Sequence, residues 1–505
     1  MDVFLIRRFR GLSFPDSCSR SINRTQYAPM KNNKHLYTRR DILKIGAAST
    51  LIPWLPRPVF AADPEKLDYE LTAANADVQL VGDPFAKTEI WGFNNQSPGP
   101  LLRFRQGVST SIKVKNELEQ PITVHWHGLR IPNPMDGVPM LTQPPIQKGE
   151  EFLYEFTPPD AGTYWYHSHL NTAEQVDRGL YGPIIIEEKE APPVDRDEVW
   201  VLDDWRLDKQ AKITGDYDNQ RDLARAGRLG NTVTINGKIP KSFRVRSGER
   251  IRLRLINAAN ARIFALRFQA HHTLVIARDG QPLEPYEPGG PVVIGPAQRF
   301  DLILDMTEQP GDSYSVIDTF YPQSPSRLLK MVYSDEPPIR REPLGDYPGL
   351  PKNIIAEPDL NDPQVQLVDL KGGDLGLLKN ARMGDKQIEI TRLYLLGKMW
   401  AINDVVNEGC TDPPMFTVER GRTVLLDFKN HSAWPHPMHL HGHHFKVIEH
   451  SRDREVIGKR LDTVLLGPEE SAKAAFVADN PGDWMFHCHI LGHAMAGMMA
   501  IIRVT

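Results

Sequence analysis

Cysteine is scarce in this chain: three residues, Cys18, Cys410 and Cys488, occur among 505. So few cysteines exclude a dense disulfide framework. Long apolar runs are also missing, because no stretch reaches the about 20 apolar residues that a membrane-spanning helix needs. We therefore expect no stable membrane insertion. The net charge of −4 argues against a general nucleic-acid-binding protein.

Proline and glycine, in contrast, are abundant. The chain contains 42 prolines and 37 glycines, more than a helical protein usually carries, and this composition favours a turn-rich β architecture. At 505 residues, the chain is long enough for roughly three domains.

The first 62 residues differ from the rest in charge. They contain eleven Lys or Arg and three acids, a net charge of +8, so residues 63–505 carry −12. Arg39 and Arg40 precede a short, mostly apolar stretch over 45–55, and small residues follow at 61–62. This pattern resembles a twin-arginine export signal, although Ile42 stands where the motif usually has Phe.

The signal has three consequences for processing and location. We expect cleavage near Ala61, export in the folded state by the twin-arginine machinery, and a periplasmic location. Met30 is followed by two lysines within four residues, a conventional start for such a signal, so translation is expected to begin there. Proteins exported by this route often carry an inserted cofactor, which is a first indication of a metal or redox centre.

One sequence pattern occurs three times along the chain. In each third of the chain a glycine is followed nine residues later by an asparagine, and apolar residues alternate between them, which predicts strands with one buried face. The pairs are Gly107 and Asn116, Gly248 and Asn257, and Gly421 and Asn430. The predicted fold is all-β, with three antiparallel β-sandwich domains over 63–190, 196–340 and 375–505. A proline-rich linker is predicted over 341–374.

The repeat also aligns histidines. Nine residues beyond the asparagine, the outer domains carry a His-x-His pair, whereas the middle domain carries Leu266 and Phe268. A second pair lies near the end of each outer domain. The four pairs are His125 and His127, His167 and His169, His439 and His441, and His487 and His489. Because side chains at i and i+2 share one face of a strand, each pair directs two imidazoles the same way, which suits metal ligation better than a core role.

Cys488 lies between His487 and His489 and must face the opposite side of the strand. One thiolate can therefore enter one metal site while the two imidazoles enter another. Two other potential ligands, His493 and Met498, follow Cys488 by five and ten residues, and a third, His436, lies three residues before His439. Two histidines, a cysteine thiolate and a weak axial methionine form the ligand set of a blue-copper site.

The motifs HWHG, HSH, HPMHLHGH and HCHILGHAMAGM resemble those of the three-domain multicopper oxidases, the family of laccases and bacterial copper-efflux oxidases. The resemblance covers 63–505 and implies three cupredoxin-like Greek-key domains, the middle one acting mainly as a spacer. It implies four copper ions and no organic cofactor. The implied ligands are His436, Cys488, His493 and Met498 for type 1 copper; His125 and His439 for type 2; and His127, His167, His169, His441, His487 and His489 for the type 3 pair.

The resemblance also implies a reaction. A small reducing substrate gives single electrons to the type 1 site, Cys488 conducts them to the cluster, and dioxygen is reduced to water. Asp136 occupies the position of an acid that assists proton delivery in related oxidases, and a turn aspartate before glycine is the alternative. Some relatives place a glutamate beside the last type 1 histidine, where this chain has Gly492 and Ala494. Asp462 is expected near the type 1 edge, or in a salt bridge or turn.

Methionine content near the start of domain 3 bears on the substrate class. Laccase-like oxidation of phenols or aromatic amines is the leading hypothesis, because residues 340–400 contain only Met383 and Met399, whereas some cuprous oxidases carry a methionine-rich insertion near the start of domain 3. The alternative is oxidation of cuprous or another metal ion in copper tolerance. A non-catalytic periplasmic protein is a remote alternative, since all the ligand positions are intact. We expect a monomer without an intramolecular disulfide, since Cys18 lies in the signal region and Cys410 lacks a partner.

Overall fold

The computed structural model describes residues 68–505, apart from 191, 324, 341, 343–344 and 410–411. The export signal predicted over 1–62, the start at Met30, Cys18 and Cys410 all lie outside the described residues. No helix in the described part of the chain combines the length and the apolar character needed to cross a membrane.

The first β-sandwich is built from eight strands. They are β1 (Tyr69–Val78), β2 (Thr88–Phe93), β3 (Leu102–Arg105), β4 (Thr110–Asn116), β5 (Val124–His127), β6 (Glu151–Phe156), β7 (Gly162–Ser168) and β8 (Tyr181–Glu187), with a 3-10 turn at Asn133–Met135 and helix α1 at Thr172–Gln175. One sheet has the order β2-β1-β4-β6 and the other β3-β8-β7-β5, and one apolar cluster lies between them.

The second sandwich contains eleven strands. They are β9 (Arg196–Trp205), β10 (Thr232–Ile235), β11 (Ser242–Val245), β12 (Arg250–Asn257), β13 (Phe264–Phe268), β14 (Thr273–Arg278), β15 (Gln281–Tyr286), β16 (Val292–Ile294), β17 (Arg299–Asp305), β18 (Ser313–Asp318) and β19 (Ser326–Tyr333), with helix α2 at Gln220–Leu223. The sheets have the orders β10-β9-β12-β17-β14-β15 and β11-β19-β18-β13-β16. Leu266 and Phe268, which replace the histidine pair, are buried in its apolar core.

The third sandwich carries the remaining elements. They are β20 (Gln364–Gly372), β21 (Asn380–Met383), β22 (Lys386–Glu389), α3 (Ile390–Leu395), β23 (Trp400–Ile402), β24 (Phe416–Val418), β25 (Thr423–Asn430), β26 (His436–Leu440), β27 (Phe445–His450), a 3-10 turn (Arg454–Val456), β28 (Arg460–Leu461), β29 (Thr463–Leu466), β30 (Ser471–Val477), β31 (Gly482–Cys488), α4 (Leu491–Met495) and β32 (Met499–Val504). The main sheets run β23-β20-β25-β30-β27-β28 and β24-β32-β31-β26-β29, and β21 and β22 form a separate hairpin.

Strand β20 lies inside the segment for which the sequence predicts a linker, 341–374. It pairs in parallel with β25, so the sheet of the third sandwich already begins at Gln364. Val365 and Leu367 are exposed, whereas Val368 and Leu370 are completely buried. The apolar positions therefore change phase within the strand, which conceals the alternation that a half-buried strand normally shows.

The repeated asparagines have one structural role in all three sandwiches. Each is buried at the end of its strand, donates its side-chain amide to carbonyl groups of two loops, and accepts the backbone N–H two residues later. Asn257, for example, donates to the carbonyls of Arg262 and Ile294. A buried amide with several partners fixes the loops that enter the next strand, because leaving those carbonyls unpaired would be costly.

Candidate metal centre

Strand register brings the histidine pairs of each outer sandwich side by side. In the first sandwich β5 and β7 are antiparallel, with His125 opposite His167. In the third, β26 and β31 are antiparallel, with His439 opposite His487 and Met438 opposite Cys488. Because alternate residues of a strand face opposite sides, the imidazoles leave one face while Cys488 turns into the apolar core of the third sandwich.

The histidines of the two outer sandwiches meet in one buried cluster. The ring of His125 stacks on that of His441 with centroids 3.8 Å apart, and His127 stacks on His439 at 3.7 Å. His169 and His487 lie within 5.4 Å, and His167 and His489 within 5.2 Å. The structure thus brings together all eight histidines of the four predicted pairs, and their side chains are buried.

The nitrogen atoms of this cluster are arranged as a metal would require. Several buried imidazole nitrogens have no hydrogen-bond partner among the described residues: Nε2 of His125, His167, His169 and His439, Nδ1 of His127, and both nitrogens of His489. Nε2 of His441 and Nε2 of His487 face each other at 3.1 Å. Buried polar atoms are normally paired, so these unpaired or converging nitrogens are suited to bind metal ions.

The second nitrogen of most of these rings donates to an oxygen. Nδ1–H of His125 donates to the backbone carbonyl of Asp136 at 2.8 Å, and Nδ1–H of His439 to that of Asp462 at 3.0 Å. His167 and His487 donate from Nδ1 to the carbonyl of the following residue. Such bonds fix the tautomer, so that Nε2 carries the lone pair that a metal needs.

His127 has the opposite orientation. Its Nε2 lies 3.3 Å from Oδ1 of Asp462, and its Nδ1 is the atom left without a partner. His127 therefore offers Nδ1, where most of the other rings offer Nε2.

Asp136 contacts ligand candidates from both outer sandwiches. Its Oδ2 accepts a hydrogen bond from Nδ1 of His441 at 2.8 Å, and its Oδ1 lies 3.3 Å from Nδ1 of His125. The carboxylate is almost completely buried. It thus stands against the cluster, and it also ends the 3-10 turn at Asn133–Met135, directly before Gly137.

Asp462 lies against the histidine cluster and not at the type 1 edge. Its Oδ1 is 3.3 Å from Nε2 of His127 and 3.4 Å from Nδ1 of His439. The expected salt bridge is present and involves Arg299 of the middle sandwich, with Nη1 to Oδ1 at 2.9 Å and Nη2 to Oδ2 at 2.6 Å. Burial would raise the pKa of Asp462, but Arg299 and then His127 hold it well below its usual range.

A second donor set lies in the core of the third sandwich. Sγ of Cys488 is 3.5 Å from Nδ1 of His436 and 3.7 Å from Nδ1 of His493, and these two nitrogens are 3.1 Å apart. Burial raises the pKa of the Cys488 thiol and lowers that of His493 to about 3. At neutral pH the imidazoles are therefore neutral ligands, and the thiol retains its proton until a soft cation replaces it.

The surroundings of this set are apolar and fix the orientation of its rings. Met498 is fully buried in the same apolar cluster as Cys488, and its carbonyl accepts the Cys488 N–H at 3.1 Å. Nε2 of His436 is hydrogen-bonded to Ser432 Oγ at 2.8 Å. Nε2–H of His493 donates to the carbonyl of Arg225 at 2.7 Å. Arg225 belongs to the middle sandwich, so neither imidazole edge reaches solvent directly.

Arg299 and Arg225 are the residues that sequence patterns do not reveal. Both belong to the middle domain, whose loss of histidines marks it as a spacer in the repeat comparison. Neither lies in a short motif, and Arg299 acts through Asp462, which is 163 residues away in the chain. The aspartate in the segment Arg460–Asp462 is the single signal of this contact in the sequence.

Three successive parts of the chain match family models that carry the same description. Residues 75–191, 196–330 and 385–505 each match a family model described as multicopper oxidase. Multicopper oxidase MmcO of Mycobacterium tuberculosis is 31% identical over 459 residues, covering 85% of each chain. Laccase-1 of Fomitopsis schrenkii is 30% identical, covering 86% of each chain.

Two solved structures are similar in fold and sequence. The multicopper oxidase of Pseudomonas thermotolerans superimposes with a TM-score of 0.74 at 36% identity, over 87% of this chain and all of that chain. The multicopper oxidase of Campylobacter jejuni, described as a metallo-oxidase, gives a TM-score of 0.72 at 25% identity, over 88% of this chain and 92% of that chain.

Proposed function

Because the chain belongs to the multicopper oxidase family, and is therefore a copper-dependent oxidoreductase that uses dioxygen, we propose that it oxidises phenols or aromatic amines in one-electron steps. The observation that carries the proposal is the pair of buried donor sets joined through Cys488, together with the apolar surface beside one of them. The substrate class rests on that surface.

The proposed copper assignment is the one that the resemblance to multicopper oxidases implies. Type 1 copper is assigned to His436, Cys488, His493 and Met498; type 2 copper to His125 and His439; and the type 3 pair to His127, His167, His169, His441, His487 and His489. Copper supplies reversible one-electron redox chemistry in such soft nitrogen and sulfur sites. Cys488 belongs to one set and its chain neighbours to the other, so the polypeptide offers electrons a continuous covalent connection.

The protein's own residues hold and orient these donors. Asp136 and Asp462 accept N–H groups of cluster imidazoles, and Asp136 is placed to hold or release a proton beside His441. Burial excludes bulk water from both donor sets. A buried carboxyl group in contact with the ligands can take up a proton and pass it on, which suits a reaction that converts dioxygen to water.

The surface near the type 1 set favours an aromatic substrate. Trp400 packs on the His493 ring at 4.2 Å, and Trp434 Nε1–H donates to the carbonyl of Asp374. The exposed side chains that follow Asp374 and those at the end of α3 are leucines: Leu375, Leu377, Leu395 and Leu396. Met399 is buried, so the exposed side chains of these two segments offer apolar contact to a ring.

Oxidation of cuprous or another metal ion is the second candidate function. Relatives include a copper resistance protein A homolog of Pseudomonas syringae, 26% identical over 92% of this chain, and the metallo-oxidase of Campylobacter jejuni. Asp374, which is paired with Arg225 beside the type 1 set, is partly exposed and would attract a cation.

One comparison separates these candidates. Copper-replete protein is supplied with a phenol or with cuprous ion, and dioxygen consumption gives kcat/KM for each substrate. We expect the phenol to be the better substrate, with both activities lost in Cys488→Ser. A higher kcat/KM for cuprous ion would favour metal oxidation, and no dioxygen consumption with either would favour the non-catalytic alternative.

We also propose that the protein is exported to the periplasm by the twin-arginine machinery and acts there as a monomer. Support comes from the Arg39-Arg40 motif and the basic charge of residues 1–62. Replacing both arginines with lysine should leave the protein in the cytoplasmic fraction. The same double change at Arg7-Arg8, upstream of Met30, is the matched control and should not affect export.

The proposal that the protein is a monomer has its own test. Light scattering during gel filtration measures the oligomeric state, and we expect the mass of one chain.

A further inference from the structure

The middle sandwich carries no histidine pair, yet one of its arginines reaches the histidine cluster. Arg299 begins β17, and its guanidinium forms a two-bond contact with Asp462 of the third sandwich. Its Nε–H also donates to the carbonyl of Thr163 in the first sandwich at 3.2 Å. Arg299 and Asp462 are both completely buried. One side chain therefore links the three sandwiches directly beneath the cluster.

The surroundings of this ion pair fix its position. Asp279 accepts the backbone N–H of Arg299 at 3.0 Å and that of Thr463 at 3.2 Å. The Thr463 hydroxyl donates to Oδ1 of Asp462 at 2.7 Å. With two guanidinium bonds, a hydroxyl and an imidazole, the Asp462 carboxylate has little freedom to rotate. Buried charges are tolerated in proteins when they are paired and hydrogen-bonded in this way.

The motif glycine after His127 leaves room for the pair. Gly128 has φ of +86°, a conformation that favours glycine, and a Cβ at this position would collide with the Arg299 guanidinium and the Asp462 carboxylate. The glycine of HWHG is thus explained by packing against the middle sandwich. A larger residue would displace the pair from His127.

We propose that Arg299 and Asp462 are positioning residues of the histidine cluster: Arg299 holds the Asp462 carboxylate where it accepts the Nε2–H of His127, which leaves Nδ1 of His127 as the donor to copper. This inference rests on the copper assignment proposed above. It gives the middle sandwich a part in building the site, beyond separating the outer domains.

Because the ring of His127 has the opposite orientation, its Nε2–H needs an acceptor other than a nearby backbone carbonyl. Cluster rings that offer Nε2 can donate Nδ1–H to backbone carbonyls close to their own strand, as His167 and His487 do. The Nε2 atom of His127 lies at the far end of the ring and meets a carboxylate from another domain. Without that acceptor, the ring could carry its proton on Nδ1 and lose the lone pair that binds metal.

The test compares two buried arginines of the same sheet. Arg299→Met removes the group that holds Asp462. Arg252→Met is the matched control, since Arg252 is also completely buried and pairs with Asp301 at 2.6 Å and Glu188 at 2.8 Å, without a bond to a histidine among the described residues. Both variants lose a buried ion pair and should lose stability, but only Arg299→Met should alter the cluster.

Two readouts are independent of turnover. In copper-free protein with ¹⁵N-labelled histidine, NMR should show the His127 proton on Nε2 in the wild type and in Arg252→Met, and a mixed or Nδ1 proton in Arg299→Met. After copper loading, Arg299→Met should keep the blue absorption of the type 1 site and lose the near-ultraviolet type 3 absorption. Its copper affinity at the cluster should fall about 10- to 100-fold.

Further variants keep the inference falsifiable if Arg299→Met does not fold. Arg299→Lys retains a charge near Asp462 and should recover part of the type 3 absorption. Asp462→Leu, which removes both acceptor oxygens, should reproduce the tautomer change. A wild-type tautomer and type 3 absorption in a folded Arg299 or Asp462 variant would overturn the inference. If instead the wild type itself binds no copper, the copper assignment fails, and the two failures are thereby distinguished.

Discussion

A single cysteine side chain connects the two donor sets. Cys488 contributes Sγ to one, while His487 and His489 on either side contribute imidazoles to the other. The substitution Cys488→Ser keeps the size of the residue but removes the soft ligand. We expect the blue absorption to disappear and substrate oxidation to stop, because a serine oxygen does not reproduce the copper–thiolate bond. Absorption spectroscopy of the copper-loaded variant measures this, and an unchanged spectrum would refute the type 1 assignment.

The proposed role of Asp136 in proton transfer can also be tested by changing a single residue. The substitution Asp136→Asn preserves shape and removes the acid beside His441. Reoxidation of the reduced enzyme by dioxygen should slow by about 10²- to 10⁴-fold, the usual contribution of a general acid. Reduction by substrate should change much less. Stopped-flow measurements of the two half-reactions separate these effects.

A control for Asp136 is available in the same domain. Asp160 is also buried, but it forms a two-bond ion pair with Arg130. Asp160→Asn should lower stability and leave the ratio of the two half-reactions unchanged. If Asp136→Asn reoxidises at the wild-type rate, its role is confined to orienting His441.

Residues differ in how far the sequence alone predicts their position. The eight cluster histidines could be placed together because each pair lies within a motif of three residues, and a strand fixes the direction of alternate side chains. Asp462 was predicted less well, because its position depends on Arg299, which is distant in sequence and lies in another domain. A contact between two isolated residues leaves no periodic signal that a sequence pattern could reveal.

Strands also differ in how well sequence patterns predict them. The strands with strict alternation, such as β4, are visible in the sequence, whereas β20 changes phase and is not. In β12 every residue is buried, because Ile251, Leu253 and Leu255 face the sandwich core while the intervening arginines form ion pairs. Arginine at alternate positions predicts a solvated face. Here that face pairs with carboxylates of the neighbouring strands β9 and β17, and Arg254 also donates to the Thr163 hydroxyl of the first sandwich. Pattern alone cannot distinguish such a face from a solvated one.

The segment around α2 covers His493, and an ion pair at the surface holds this segment in place. Leu223 and Arg225 both offer carbonyls to this region, to Trp400 Nε1–H and to His493 Nε2–H. Arg225 pairs with Asp374 at 2.6 Å, and both side chains are about 40% exposed. Asp374→Ala should loosen this cover and raise kcat/KM for a bulky phenol.

The expected size of that effect follows from the strength of a surface pair. An exposed ion pair contributes up to about 1 kcal/mol, so the gain should not exceed about fivefold. Steady-state rates with a small and a bulky phenol measure it, and only the bulky one should respond. Asp362→Ala removes another exposed ion pair, with Arg422, and serves as the control. Equal changes in both variants would contradict a covering role.

At the scale of the whole molecule, bound copper should stabilise the contact between the first and third sandwiches. The cluster donors come from β5 and β7 on one side and from β26 and β31 on the other. Ligands that bind only the native state stabilise it, by about 4 kcal/mol at a thousandfold excess over Kd. Removing copper with a chelator should therefore lower the melting temperature, and Cys488→Ser, which retains the cluster histidines, should keep most of the copper-dependent increase. Calorimetry of loaded and stripped protein tests this.

Because the cluster histidines come from distant parts of the chain, they are synthesised at different times. Strands β5 and β7 leave the ribosome more than 250 residues before β26 and β31, so half of the cluster exists long before the other half is synthesised. Until then, the histidines of the first sandwich have no partners from the third. The complete set of eight histidines can therefore form only after the third sandwich has been synthesised and has docked on the first.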